Sequence, residues 1–243
     1  NFVHLDGYAF VASTDGYIYN SDINSLSSWT ANSRIAVQMV PDSLVGLIKV
    51  KNFIAALGTR SIELYRNKGL QSGSPLEVIP EAGLKTGVLH QGAVQELGEG
   101  IIFVSMSNEG AGVYTWSGGG EPKKVSNTIV DQNLIVYAPQ PGNTPLQGPL
   151  PFATSARVFF AGTTLMFGQK VVVLYINNIG YGYIQSLDLW VTVAIGGNNE
   201  RGKFFSVGAT QMMIDLVQVG SQNQLLRANQ TASTSWTDYD RGT

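Results

Sequence analysis

The 243-residue sequence predicts an all-β fold built from repeated units of four short strands. Apolar or alternating runs recur along the chain, and turns rich in Gly, Asp and Asn separate them. The turn of the first hairpin in each unit also recurs regularly. Four-stranded units repeated at roughly 40–50 residues are the signature of a β-propeller blade, so we predict a β-propeller of about five blades. The five turns are predicted at Asp6, Asn52, Gly98, Gly162 and Gly208, at intervals of 46, 46, 64 and 46 residues.

The first unit opens with two hairpin signals. Asp6-Gly7 separates predicted strands at 2–5 and 8–12, and Asp15-Gly16 precedes a third strand. Asp-Gly favours the tight turns that join antiparallel strands. Residues 20–24 are turn formers, and we expect residues 27–30 to close the unit.

The second unit contains two apolar runs, 44–50 and 53–57, followed by a run in which residue types alternate. Successive side chains of a strand point to opposite faces. Ile62 and Leu64 are therefore predicted in the core. Glu63 is predicted on a polar face, where it would serve as a partner for a neighbouring strand or blade.

The later units follow the same pattern. The continuous apolar runs at 53–57, 101–104 and 171–176 are predicted to be inner strands, which neighbouring blades bury on both faces. Between the third and fourth units, Thr128 and Asp131 have the spacing of a capping box, which predicts a short helix.

A proline-rich segment at 139–151 lies in the long interval. Proline lacks the backbone donor of a sheet ladder, so we expect a loop or arm between the third and fourth units of a single domain that spans residues 1–243. Such a segment either docks on a partner or is a solvated surface loop. Its five prolines are the candidate interface residues: Pro139, Pro141, Pro145, Pro149 and Pro151.

Composition excludes several classes of protein. Only 13% of the residues are charged and the net charge is −2, so no basic field attracts nucleic acid or an anionic membrane. Without cysteine the chain has no disulfide or thiolate metal site. Its longest apolar run falls far short of the roughly 20 residues of a membrane helix. Because the first residues already form a predicted strand, we expect a fragment of a longer protein and hence an incomplete propeller.

Catalytic signatures are sparse. His4 and His90 are far apart in sequence and show no metal-ligand spacing. Asp22-Ile23-Asn24 could offer oxygen ligands to calcium, but a polar turn is the simpler interpretation. We expect no catalytic residue, no cofactor and no metal, and thus no enzyme. The carboxylates considered for a glycosidase are Asp6, Glu63, Glu99, Asp188 and Asp215.

Several segments carry a family resemblance. Residues 6–29, DGYAFVASTDGYIYNSDINSLSSW, are similar to a D-G-Y/F…S-D-L…W pattern, and residues 57–67, LGTRSIELYRN, to G-T/E-x-S/T-x-E-x-x-Y-N-x-G. Over roughly residues 6–131 the chain resembles the packaged-DNA stabilisation proteins, or tail hub proteins, of short-tailed bacteriophages. Arg66 and Lys124-Val125 depart from the family pattern. The matched positions expected to support the fold are Asp6, Gly7, Trp29, Gly58, Thr59, Glu63, Tyr65 and Asn67.

The resemblance implies a β-propeller protein of the virion tail, made in the host cytoplasm. It implies a homo-hexameric ring that binds the portal protein ring and the distal tail, with its needle or spike, and that retains packaged DNA. We expect DNA to pass through the channel without sequence-specific binding, and no contact with a membrane.

Two other classes remain open. A sugar- or protein-binding propeller that acts as an adhesion module would show exposed Trp or Tyr residues around one channel mouth. A propeller glycoside hydrolase would need two carboxylates about 5–9 Å apart across a pocket.

Overall fold

The computed structural model describes residues 2–37, 43–70, 73–107, 110–137, 158–166, 169–176, 179–193, 202–207, 210–219, 222–227 and 237–238. These residues form five four-stranded antiparallel sheets, and in each sheet the strand order follows the chain order. Each sheet is therefore a simple meander, as the repeated turn signals predict. Contacts divide the chain into two compact units, Asn1–Val125 and Ser126–Thr243, and a single domain over residues 1–243 stays a prediction.

The first unit contains sheets 1, 2 and 3. Contacts join β1 to β5 and β5 to β9, so the first strands of successive sheets are neighbours. Two short 3-10 helices, Pro80–Ala82 and Gln91–Ala93, belong to the segment of chain that connects β8 of sheet 2 to β9 of sheet 3. The strands are β1 (Phe2–Leu5), β2 (Tyr8–Ala12), β3 (Tyr17–Asn20) and β4 (Arg34–Ala36) in sheet 1, β5 (Leu44–Val50), β6 (Phe53–Gly58), β7 (Ile62–Asn67) and β8 (Leu76–Val78) in sheet 2, and β9 (Val94–Leu97), β10 (Gly100–Ser107), β11 (Gly110–Trp116) and β12 (Lys123–Lys124) in sheet 3.

The first hairpin confirms the predicted turn. Leu5 pairs with Tyr8, and the intervening Asp6 and Gly7 have φ values of 51° and 83°. Two successive positive φ values are the type I′ geometry that matches the twist of an antiparallel pair. The expectation that residues 27–30 close the unit is wrong, because those residues belong to a loop and β4 (Arg34–Ala36) closes the sheet.

One hydrophobic core cluster of the first unit lies between sheets 1 and 2. Both sheets contribute large buried side chains to it, and each fully buried side chain of this size stabilises the fold by roughly 1.5–3 kcal/mol. Packing between sheets therefore holds this unit together. The cluster consists of Val3, Leu5, Phe10, Ile18, Leu47, Ile54, Ala56, Tyr65 and Leu76.

The second unit contains a helix and sheets 4 and 5. Contacts join β13 to β17, which are the first strands of these two sheets. A 3-10 helix at Gln185–Leu187 connects β15 to β16. The elements are α1 (Thr128–Tyr137), β13 (Val158–Met166), β14 (Gln169–Ile176), β15 (Ile179–Ile184) and β16 (Leu189–Val193), and in sheet 5 β17 (Gly202–Val207), β18 (Thr210–Val219), β19 (Gln222–Arg227) and β20 (Thr237–Asp238).

Helix α1 begins where the capping pattern predicts, but its cap is one residue earlier. The Asn127 side-chain oxygen accepts a hydrogen bond from the Val130 backbone N–H at 3.0 Å. Asn is among the best N-cap residues because its short side chain reaches an otherwise unpaired N–H of the first turn.

The predicted turn at Gly162 is wrong. Gly162 lies inside β13, at a register shift that follows Phe160, and has φ 126°. A glycine in a strand marks a bulge as readily as a turn, since both require a conformation that other residues avoid. The β13–β14 connection follows Met166, and it lies outside the described residues, as does the turn predicted at Gly208.

The predicted inner runs are confirmed as buried. All residues at 101–104 and 171–176 are buried, as are residues 54–57, whereas Phe53 at the start of the third run is half-buried. These runs belong to β10, β14 and β6, the second strands of their sheets. A strand covered on both faces needs apolar side chains at every position, which explains the absence of alternation.

Candidate functional site

The buried part of the family motif centres on Glu63 and Tyr65. Both residues are 1% exposed, and the Tyr65 hydroxyl donates a hydrogen bond to Glu63 Oε2 at 2.6 Å. The same hydroxyl lies 3.5 Å from the Ala36 carbonyl oxygen of sheet 1. Burial, together with the adjacent Glu63, raises the pKa of Tyr65, so its hydroxyl remains a donor.

The prediction that Glu63 lies on a polar face is therefore wrong. Alternation along β7 does separate Glu63 from Ile62 and Leu64, but the second face is covered as well. Tyr65, on the same face as Glu63, belongs to the core between sheets 1 and 2. A carboxyl group is tolerated there because it is hydrogen-bonded, since a buried polar group without a partner costs about 1–3 kcal/mol.

Gly58, Thr59 and a returning segment hold the start of β7. The Gly58 N–H donates to the Ser61 carbonyl and the Val88 N–H donates to the Gly58 carbonyl, each at 2.8 Å. A Cβ on Gly87 would lie 2.1 Å from the Thr59 carbonyl carbon. Only glycine fits there, a requirement that no local signal in the sequence reveals.

Other motif residues, among them Asp6, Gly7 and Asn67, lie at the opposite end of sheets 1 and 2. This is the end at which the β1–β2 and β5–β6 turns lie. The Asn67 side-chain amide donates to Asp6 Oδ2 at 3.0 Å. The Asn24 N–H donates to the Gly7 carbonyl at 2.7 Å. The β1–β2 turn is thus tied both to the end of β7 and to the loop between β3 and β4.

Residues 22–30 of that β3–β4 connection form a well-organised loop, which we call the apolar loop. The Asp22 carboxylate accepts hydrogen bonds from the Ser28 and Thr30 hydroxyls, the latter at 3.1 Å. The Trp29 indole N–H donates to the Leu26 carbonyl at 2.9 Å. Asp22 therefore organises the loop, which agrees with the interpretation as a polar turn.

Three large apolar side chains project from this loop into solvent. Ile23 is 58% exposed, Leu26 68% and Trp29 42%. Single exposed apolar residues are normal on protein surfaces, whereas a cluster of them marks an interaction site. Sequence reasoning identified Trp29 but missed Ile23 and Leu26. The available signal was the spacing of three apolar residues, each three apart, within a run of turn formers.

An ion cluster lies beyond Asn67. Glu77 accepts from Lys68 Nζ and from the Arg66 guanidinium, both at 2.6 Å. These hydrogen bonds, to Lys68 first and then Arg66, lower the pKa of Glu77. All three side chains are partly solvated, so the cluster adds little to stability.

A cavity of about 330 Å³ lies among the first strands of the three sheets. Among the described residues, its polar lining comes from His4, Lys49, Gln91 and Glu96, and Phe2 is the only Phe, Trp or Tyr. The part of the lining that the structure describes contains one carboxylate, that of Glu96, whereas a glycosidase uses two. No Trp or Tyr, the residues expected of a sugar-binding channel mouth, is among the described residues of this lining.

The other predicted residues have ordinary roles. His90 is half-buried and its Nδ1 accepts from the Gly92 N–H at 3.0 Å, while His4 and Glu99 are exposed. The Asp188 carboxylate accepts from the Tyr183 hydroxyl at 2.8 Å. The side chain of Asp215 and the five prolines of 139–151 lie outside the described residues.

Neither a metal centre nor a membrane span is found in the part of the chain that the structure describes. No group of His, Cys, Asp and Glu side chains there could hold a metal ion. Among those same residues, no helix is long and apolar enough to cross a bilayer.

The sequence model of one family, Phage_stabilise, described as bacteriophage P22 Gp10, β-propeller, matches residues 1–144. The chain belongs to this family. It is therefore a bacteriophage structural protein with a β-propeller fold, and its location is the virion. The match contains all eight motif residues at the two ends of sheets 1 and 2. No curated protein sequence matches the chain.

Several solved structures are similar to this phage protein at low sequence identity. Puromycin hydrolase is 10% identical with a TM-score of 0.51, and the match covers 98% of this chain and 36% of that one. A Mycobacterium tuberculosis puromycin-hydrolyzing peptidase is 12% identical with a TM-score of 0.50, covering 98% and 37%. The Nup133 β-propeller domain of Vanderwaltozyma polyspora is 8% identical with a TM-score of 0.44, covering 99% and 74%. The chain thus spans little more than a third of either hydrolase, and the likeness shows the fold alone.

Proposed function

We propose that this protein is a tail hub protein that joins the portal ring to the distal tail and helps to retain packaged DNA. The family match over residues 1–144 is the observation that carries the proposal. In this role six copies form a ring in the virion tail, one face of the ring binds the portal, and the other receives the needle or spike. The protein is made in the host cytoplasm and joins the tail after DNA packaging.

The hydrogen bonds of the motif carboxyl groups support a structural role without catalysis. Glu63 is bound by Tyr65 inside the core, and Asp6 is bound by Asn67 at the turn. Both carboxyl groups hold parts of the protein together, so neither is available as an acid or base for a substrate. A rigid scaffold with organised loops is what a subunit of a repeating ring requires.

DNA passes such a hub without being held. The formal net charge of −2 supports this, because few phosphates would be neutralised and few counterions released. A Kd for duplex DNA tighter than about 1 μM at physiological salt would contradict this part of the proposal.

The test is reconstitution with portal rings, followed by multi-angle light scattering. We expect a discrete complex of one portal ring with six copies of this chain. Portal alone and the chain alone provide the reference masses. A chain that stays monomeric and leaves the portal mass unchanged would overturn the proposal.

The proline-rich segment 139–151 is our candidate for the portal contact. Replacing Pro139, Pro141, Pro145, Pro149 and Pro151 with serine keeps the length of the segment and removes its stiffness. We expect portal affinity to fall at least tenfold while the stability of the chain changes little. Unchanged affinity would assign the segment to an ordinary surface loop.

A further inference from the structure

The first strands of the three sheets in the first unit place three titratable side chains at one register position. His4 of β1, Lys49 of β5 and Glu96 of β9 each lie two residues before the turn that joins the first two strands of their sheet. All three line the cavity of about 330 Å³. The described lining of this cavity lies entirely within the first unit. We call these three residues the polar row.

The polar row carries charges that no protein partner neutralises in the part of the chain that the structure describes. Lys49 and Glu96 have opposite charges on neighbouring strands, yet the ion pairs found among the described residues are those of Glu77. Nor does a hydrogen bond join the side chain of His4, or of Gln91 in the same lining, to another described residue. Four polar side chains therefore face one cavity with their hydrogen-bonding groups available to a ligand.

An apolar row lies beside the polar row. Phe2, Leu47 and Val94 each lie two residues earlier on the same strands, and side chains two apart share one face of a strand. All three also line the cavity. Leu47 and Val94 are buried, whereas Phe2 is 55% exposed. The cavity thus has a charged side and an apolar side, and its volume of about 330 Å³ is at the lower end of the range for small-molecule sites.

We propose that this cavity binds a small zwitterion with an apolar group, which is the chemistry of an apolar α-amino acid. Lys49 would bind the carboxylate and Glu96 the ammonium group, each through a charge-assisted hydrogen bond. The Gln91 amide and the His4 imidazole offer further N–H donors to the carboxylate. The apolar row would cover the side chain of the amino acid. This binding site is additional to the tail hub role and does not depend on ring formation.

Other classes of ligand fit the cavity less well. A simple anion would meet Glu96 as well as Lys49, and a simple cation would meet the same two charges with the signs exchanged. An uncharged apolar molecule would remove both charges from water without replacing their hydrogen bonds. A ligand with one charge of each sign satisfies both residues, so the opposite charges of the polar row favour a zwitterion.

The test is a titration of the isotope-labelled chain with L-leucine, followed by the NMR resonances of its backbone amides. We expect shifts in β1, β5 and β9 and a dissociation constant in the millimolar range, because the polar row is open to solvent. Three related compounds each lack one recognised group. L-leucinamide has no carboxylate, isocaproate has no ammonium group and glycine has no apolar side chain. Each should bind at least roughly tenfold more weakly than L-leucine.

Two pairs of variants separate the polar row from general surface charge. Lys49→Gln and Glu96→Gln should each weaken L-leucine binding roughly tenfold. Lys51→Gln and Glu99→Gln are the matched controls, because both residues are exposed in the turns that follow the polar row and neither belongs to the described lining. The controls should change the affinity by less than about twofold. All four positions are exposed, and unchanged circular dichroism would verify that each variant is folded.

Several results would overturn the proposal. One is the absence of L-leucine shifts in β1, β5 and β9. Another is binding of L-leucinamide or isocaproate as tight as that of L-leucine, since the site would then recognise a single charge. Inorganic phosphate that binds in the same place at least as tightly would assign the polar row to simple anions. Equal losses in the Lys49→Gln and Lys51→Gln variants would point to non-specific attraction. None of these results bears on portal binding, so this proposal and the tail hub can fail independently.

Discussion

The two parts of the family motif are built in opposite ways. At one end of sheets 1 and 2, a polar pair of Glu63 and Tyr65 is 1% exposed inside an apolar core. At the other end, an apolar side chain such as Leu26 is 68% exposed on a loop of polar residues. The buried pair is hydrogen-bonded within β7, and the Tyr65 hydroxyl also lies 3.5 Å from the Ala36 carbonyl oxygen, so the pair lies where sheet 2 meets sheet 1. The side chains of Ile23, Leu26 and Trp29 in the loop are exposed to solvent. The first part is buried in the fold, and the second lies on its surface.

Substitution of Ile62 by Asp should have the largest effect. Ile62 is fully buried and its backbone bridges to Leu84. Burying a carboxylate without a partner costs several kcal/mol, comparable with the whole stability of a domain. We expect no folded protein by near-UV circular dichroism. Ile62→Val, with an expected cost of about 0.5–1.5 kcal/mol, is the control. A folded Asp variant would mean that this face of β7 is solvated.

Glu63 should show the next largest effect. Glu63→Ala leaves the Tyr65 hydroxyl without its 2.6 Å acceptor, and we expect a loss of about 1–3 kcal/mol in urea unfolding. Glu63→Gln keeps an acceptor oxygen and should cost distinctly less. If Glu63→Ala and Glu63→Gln both leave the urea midpoint unchanged, the Glu63–Tyr65 pair does not stabilise the fold. The contrast drawn between the buried pair and the exposed loop would then be wrong.

Gly7→Ala tests the connection between turn and loop. Its φ of 83° and the Asn24 oxygen 2.7 Å from the added Cβ both oppose a side chain, so we expect a loss of about 1–2 kcal/mol or more. Gly16→Ala is a matched control with φ 82° and open space around the added Cβ. The difference between the two variants measures packing of the turn against the apolar loop. Equal losses would show that only backbone strain matters.

Glu77 should give a smaller, pH-dependent effect. Because Lys68 and Arg66 lower the pKa of Glu77 in the folded chain, its contribution is present above the unfolded value of about 4.3 and is lost as the pH falls below it. We expect the stability of the wild type to fall more between about pH 5 and pH 3 than that of Glu77→Gln. The difference should shrink in about 1 M salt, which screens solvated pairs. Parallel pH profiles would show that the cluster contributes nothing.

Leu26→Ser should have the smallest effect on the isolated chain. Because Leu26 is 68% exposed, its replacement should change the free energy of unfolding by no more than about 0.5 kcal/mol. Thermal unfolding of the monomer is the measurement. A loss above about 1 kcal/mol would place Leu26 in the fold and remove the contrast between the two ends.

Local chemistry explains what could be predicted without a structure. The Asp6-Gly7 turn, the buried runs of β6, β10 and β14, and the start of α1 each depend on residues within a few positions of one another. The errors have a common cause as well. Gly162 and residues 27–30 are compatible with two local structures, and contacts with distant residues select between them.

The sequence by itself determined the repeated four-stranded units, the absence of cysteine chemistry and the membership of a phage family, because turn propensity, periodicity and motif spacing are local properties. Only the tertiary structure decided that both faces of β7 are buried, that Gly87 must lack a side chain beside Thr59, and that Ile23, Leu26 and Trp29 are all exposed. Each of these depends on a surface supplied by another part of the chain, and alternation along one strand carries no information about what packs on it.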